Sequence, residues 1–144
     1  MEISLLGKTA LVTGASRGIG AAIAKSFAEA GAQVMLSSRK EESLREVAKH
    51  IDGETDVFAA NTGDIEQGQA CVDATIERFG TIDILVNNAG ILRDKSFSKM
   101  EISDFRLVME VHVMGAVHCT KAVWPIMQAQ SYGRIVMTTS SSGL

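Results

Sequence analysis

Between Thr13 and Gly20 the chain reads Thr-Gly-Ala-Ser-Arg-Gly-Ile-Gly. An apolar run, Thr9-Ala10-Leu11-Val12-Thr13, stands directly before it, and a segment of helical periodicity runs from Ile19 to about Ala30. Few folds need three glycines between a buried strand and a helix. One glycine permits the sharp reversal, one lets main chain approach a ligand, and one lets the helix pack close to the sheet. Gly14, Gly18 and Gly20 therefore read as a phosphate-binding turn, with free N–H groups and the helix dipole favouring a pyrophosphate. Ser16, Arg17 and Ile19 ride on the same turn and are expected at the same ligand. The alternative is a glycine-rich turn that holds nothing.

The rest of the chain alternates short apolar runs with helical segments. Strands are predicted at Thr9–Thr13, Gln33–Ser37, Asp56–Ala60, Ile82–Val86 and Arg134–Thr139. Helices are predicted at Ile19–Ala30, Glu41–His50, Ile65–Phe79 and from a Ser103 cap to about Gln128, with Gly31 and Gly80 as stops. Ile19, Ile23, Phe27 and Ala30 share one face of the first helix. Pro125, the single proline, is expected to kink or end the last helix. This alternation predicts one α/β domain over residues 1–144, a Rossmann-type doubly wound parallel sheet of strand order 3-2-1-4-5. Its ligand would sit at the carboxyl ends, where the order reverses.

Composition narrows the partners. An apolar fraction of 46% and a charged fraction of 22% suit a soluble globule. The net charge is −3 and the 14 Lys and Arg are scattered, so no basic stripe addresses nucleic acid or an anionic membrane. No apolar run nears the ~20 residues of a membrane helix. The first eight residues are too short and polar for a targeting segment. Cys71 and Cys119 match no metal spacing and read as reduced thiols, which places the chain in the cytoplasm.

The end of the second strand bears on the choice of nucleotide. A diphosphopyridine site carries an acid roughly 20 residues beyond the glycines, to bind the ribose 2′-OH. Here the chain reads Ser37-Ser38-Arg39 instead. Arg39 offers a charge-assisted fork to a 2′-phosphate, and Arg17 a second cation. This favours NADP(H) over NAD(H), unless Arg39 is merely solvated and Arg17 merely caps the helix.

Thr13–Gly20, the run Asn87-Asn88-Ala89-Gly90 and a fifth strand ending at Ser140 come in order along the chain. Together they resemble the short-chain dehydrogenase/reductase family over the whole chain. The resemblance implies that Asn88, Ala89 and Gly90 line the cofactor, and that Asp64 and Ile65 contact the adenine ring. Asp64 reads equally well as a helix N-cap. It implies that Ser140 hydrogen-bonds the substrate carbonyl oxygen, although Ser140-Ser141-Ser142 also suits a plain loop.

Gly90-Ile91-Leu92-Arg93-Asp94 is similar to β-ketoacyl-carrier-protein reductases and to (3R)-hydroxyacyl-CoA dehydrogenases. His112 tilts toward the second group. Most members carry Asn there, supporting a proton-relay water. His112 also falls on the stripe Phe105, Val108, His112, Gly115, Cys119, where it reads as a core histidine. The implied substrate is a small carbonyl or alcohol, a 3-oxoacyl or 3-hydroxyacyl thioester of fatty acid metabolism. The implied assembly is a homo-oligomer at full length, with Val117, Trp124 and Met127 available to a partner or, equally, to sheet packing.

The family acid/base is a Tyr with a Lys four residues on. Tyr132 is the single tyrosine, and Val136 stands four residues after it. Tyr132 precedes the fifth strand, so it is expected at the amino end of the sheet, away from the cofactor. The chain thus reads as a fragment lacking its C-terminal part and inactive alone, with an exposed fifth strand. The alternative is a non-catalytic nucleotide-binding or regulatory homologue.

Overall fold

The computed structural model describes residues 2–140. Five strands form one parallel sheet of order β3-β2-β1-β4-β5. They are β1 (Thr9–Thr13), β2 (Gln33–Ser38), β3 (Thr55–Ala59), β4 (Ile84–Asn87) and β5 (Arg134–Met137). The expected order holds. Strand bounds differ by a residue or two, most at β4, where Ile82 and Asp83 precede the ladder.

The centre of the sheet is covered on both faces, which explains why β1 is buried at all five positions. Alternation sends its side chains to two cores. Ala10 and Val12 join Val34, Leu36, Ile84 and Val86 on one face, beneath α1 (Gly18–Glu29) and α2 (Glu41–Lys49). Leu11 joins Met35 and Leu85 on the other face, beneath α3 (Ile65–Phe79) and α5 (Gly115–Gln130).

The fully buried residues of α1 are Gly20, Ala24 and Ala28, one position on from the apolar stripe Ile19, Ile23 and Phe27. Small residues at four-residue spacing let the helix lie close to the sheet. Ile23 and Phe27 pack at the flank, and Ile19 is 67% exposed. Gly31 supplies the positive φ (98°) that turns the chain toward β2.

The expected long helix comes in three parts. α4 (Ile102–Met109) starts at an N-cap of Glu101, not Ser103, and passes into a π-turn over Glu110–Met114 before α5. The wider turn breaks the 3.6-residue period, so Phe105 and His112 lie exposed while Gly115 and Cys119 are buried. Pro125 does not end α5, which continues to Gln130. Of the three residues open to a partner or to sheet packing, Met127 is buried in the second core, while Val117 (47% exposed) and Trp124 (57% exposed) remain outside. Among the described residues β5 pairs with β4 only, and its Val136 and Met137 are exposed.

Candidate functional site

The turn after β1 is fixed by its neighbours. Thr13 Oγ1 accepts from the Asn88 and Ala89 N–H groups, each at 3.0 Å, and donates to the Val86 carbonyl at 3.4 Å. Asn88 Nδ2 donates to the Gly14 carbonyl at 3.2 Å. The Ala15 N–H donates to the Ser37 carbonyl at 3.0 Å. The carboxyl ends of β1, β2 and β4 are thereby tied into one rim.

Two glycines of the turn are required by packing. A Cβ on Gly14, where φ is +63°, would lie 2.7 Å from the Asn88 carbonyl oxygen. A Cβ on Gly20 would lie 2.1 Å from the Gly14 carbonyl oxygen. Gly18 is different. Its φ of +55° favours glycine, yet a Cβ there would meet nothing within 4 Å. Open space lies beside the N-terminus of α1, where Arg17 gives no side-chain cap and no acid stands in the first turn. Those N–H groups suit an anion.

A cleft of about 620 Å³ opens along this rim. Gly14, Ser16, Arg17, Gly18 and Ile19 line its centre, and Asn88, Ala89 and Gly90 one flank. At the other flank Arg39 is joined by Ser38, Lys40, Ser43, Asn61 and Thr62, to none of which the sequence assigned a role. The run Ser38-Arg39-Lys40 at a strand end was the available signal for Lys40. The Ser38 hydroxyl is shielded from solvent and has no partner among the described residues. Three cations and no carboxylate line the cleft. Among the described residues, no ion pair engages Arg17, Arg39 or Lys40.

Asp64 and Ile65 are not part of the lining. Asp64 Oδ1 accepts from the Glu66 and Gln67 N–H groups at 2.9 and 3.1 Å, capping α3. Of the two roles open to it, the structure displays the cap. The chain reaches the cleft two residues earlier, at Asn61 and Thr62, because the cap turns it into α3.

His112 is not a core histidine. Its ring lies against Gly90, where a Cβ would come within 2.6 Å of Cε1. Nε2 is 3.0 Å from the Ile91 nitrogen and 2.9 Å from the Ile91 carbonyl oxygen, accepting from one or donating to the other by tautomer. The segment after Gly90 is further held by Asp104, which pairs with Lys95 at 2.9 Å and Arg93 at 3.6 Å. The Lys95 hydrogen bond, then the charges of Lys95 and Arg93, hold the Asp104 carboxyl below its usual range. Ser140 is exposed, three residues past β5 and outside the cleft lining. The serines after it lie outside the described residues. Tyr132 is at the amino end of β5, with Lys8 Nζ 3.9 Å and the Arg134 guanidinium 4.7 Å from its ring centre.

The two cysteines face each other's neighbourhood between α3 and α5. Burial pushes the Cys71 thiol up to about 11, against a smaller pull from Ser37. Burial, with Cys71 nearby, pushes Cys119 up to about 12. Both stay protonated at neutral pH and are poor nucleophiles. Among the described residues, no helix is long and apolar enough to cross a membrane.

Sheet order, glycine turn and rim cleft define a Rossmann-type α/β fold with the cleft at the switch point between β1 and β4. The family model for short chain dehydrogenases matches residues 8–144, and the chain belongs to that family of nicotinamide-nucleotide oxidoreductases. It is 39% identical over 147 residues to peroxisomal multifunctional enzyme type 2 of Mus musculus, covering 96% of this chain and 20% of that protein. It is 37% identical over 145 residues to a 3-oxoacyl-[acyl-carrier-protein] reductase of Synechocystis, covering 98% and 59%. A solved short-chain type dehydrogenase/reductase from Mycobacterium marinum superposes with a TM-score of 0.92 at 34% identity, covering 97% of this chain and 58% of that one. The chain spans less than two thirds of each of these proteins.

Proposed function

We propose that the chain is the cofactor-binding part of an NADP(H)-dependent oxidoreductase that interconverts a ketone and a secondary alcohol. The observation that carries this is a cleft with three cations and no carboxylate, placed beside a glycine turn with room for phosphate. Main-chain N–H groups of Gly18 to Gly20 would hold the pyrophosphate, and Arg39 with Arg17 and Lys40 the 2′-phosphate. The buried, unpartnered Ser38 hydroxyl fits a hydrogen bond to the same end of the ligand. Asn88, Ala89 and Gly90 would flank the nicotinamide end. Bound there, the nucleotide supplies or accepts the hydride.

In this reading Ser140 hydrogen-bonds the reacting oxygen of the substrate, and His112 supports the loop at Gly90 and a proton-relay water. A 3-oxoacyl or 3-hydroxyacyl thioester is the substrate, supported by the names of the acyl-carrier-protein reductase and of a hydratase-dehydrogenase-epimerase from Neurospora crassa. The full-length protein pairs as a homo-oligomer through the exposed Val117 and Trp124. Its inert thiols suit a reducing compartment, the cytoplasm, although several relatives carry peroxisomal names.

The chain of 144 residues binds nucleotide but does not turn over, because its single tyrosine stands at the far end of β5. That observation also favours the second reading, a non-catalytic nucleotide-binding homologue. Fluorescence titration of the chain with NADPH and NADH tests the cofactor assignment. NADPH is expected to bind at least about tenfold more tightly, and Arg39→Ala to remove most of that preference. Equal affinities, or preference for NADH, refute it. Ketone reduction by the chain at an ordinary enzymatic rate refutes the inactivity.

A further inference from the structure

We propose that His118, on α5 behind the cleft, is a positioning residue for the adenosine end of the nucleotide. The inference rests on the dinucleotide reading above. Arg39 and Lys40 mark the 2′-phosphate flank, beside β2. That phosphate belongs to the adenosine ribose, so the adenine lies one strand further out, at the end of β3. There the cleft is walled by Asn61 and Thr62.

The wall is held in two ways. Asn61 is fixed locally: its N–H donates to Gln67 Oε1 at 2.8 Å, and its Oδ1 accepts from the Gly63 N–H at 3.0 Å. Thr62 is 5% exposed, and its carbonyl is held from a distant element. His118 Nδ1–H donates to it at 2.8 Å, across 56 residues of chain. The donation to a carbonyl fixes the tautomer, with the proton on Nδ1.

α5 approaches closely enough to do this because of two glycines. A Cβ on Gly68 would crowd His118 Cβ at 3.3 Å, and a Cβ on Gly115 would lie 2.8 Å from Thr62 Oγ1. The same helix thus meets Thr62 at both its carbonyl and its side chain. His118 is not in the lining and touches no ligand; it acts through Thr62. Without it, a buried carbonyl loses its donor, and the loop that walls the cleft must shift to find another.

The test is calorimetric titration of the full chain with adenosine 2′,5′-bisphosphate, at a temperature well below every variant's melting point. Loss of stability alone then moves nothing. His118→Phe removes the donor and should weaken binding about tenfold. His118→Asn keeps an N–H donor at the Nδ1 position and should bind within about twofold of the unaltered chain. Gly115→Ala pushes Thr62 from the same helix and should match His118→Phe; it carries the test if His118→Phe does not fold. Unchanged affinity in both His118→Phe and Gly115→Ala, or a His118→Asn as weak as His118→Phe, overturns the positioning role alone. If the unaltered chain does not bind the bisphosphate, the dinucleotide reading falls and this inference with it.

Discussion

Alanine at Gly18 and alanine at Gly20 should have opposite effects. The two positions stand two residues apart in one motif, yet their surroundings differ. At Gly20 the new Cβ would lie 2.1 Å from the Gly14 carbonyl oxygen and 2.6 Å from Asn88 Nδ2. Ordinary contact begins near 3.5 Å, so α1 must retreat by about 1 Å or more and the Asn88 bond to Gly14 must break. Overpacking against backbone on this scale costs about 3 kcal/mol or more, a large share of a typical domain's stability.

At Gly18 the Cβ meets nothing, and the cost is that of a φ of +55° alone. That is about 1–2 kcal/mol, or a fall of roughly 4–8 °C in melting temperature. The same Cβ projects into the space assigned to the pyrophosphate. Displacing an anion from charge-assisted N–H bonds costs roughly 1.5–3 kcal/mol, a loss in NADPH affinity of about tenfold or more. Thermal melts and NADPH fluorescence titrations on both variants check this. Gly18→Ala should stay folded and bind poorly, and Gly20→Ala should melt early. A Gly18→Ala chain that binds NADPH within about twofold of the unaltered chain refutes the reasoning that this open space belongs to a ligand.

Asp64→Ala should cost about 1 kcal/mol through loss of the α3 cap, and leave nucleotide affinity unchanged. Chemical denaturation and titration together decide it, and an affinity loss above about fivefold would add adenine contact to the cap. The thiols predict alkaline sensitivity. Folded Cys71 and Cys119 keep their protons to about 11 and about 12, whereas the unfolded thiols lose theirs near the ordinary 9. Their contribution is complete below pH 9 and declines as pH rises toward those values, by about 1–3 kcal/mol between pH 8 and pH 10. Urea midpoints at the two pH values should differ less in a Cys71→Ala, Cys119→Ala variant. An equal fall in that variant would remove the thiols from the account.

Much of this molecule is local in origin. The alternation of apolar runs with helical segments, with Gly31 and Gly80 as stops, marked out five strands, because each element carries its own period and its own punctuation, and their order followed from the doubly wound pattern such alternation implies. The glycine turn and Arg39 were legible for the same reason: a positive φ or a cation at a strand end is a property of a few consecutive residues. Tertiary structure decided what depends on distant partners. Only the packed sheet shows that α1 approaches it through Gly20, Ala24 and Ala28. The π-turn moved His112 from an expected core stripe to the Ile91 main chain, since one widened turn resets the register of every residue after it. Asp64 Oδ1 caps α3, and beside it the cleft is walled by Asn61 and Thr62, the latter held by a histidine 56 residues away. Hydrogen bonds across such separations leave no periodic trace in a chain, so they are visible only once it has folded.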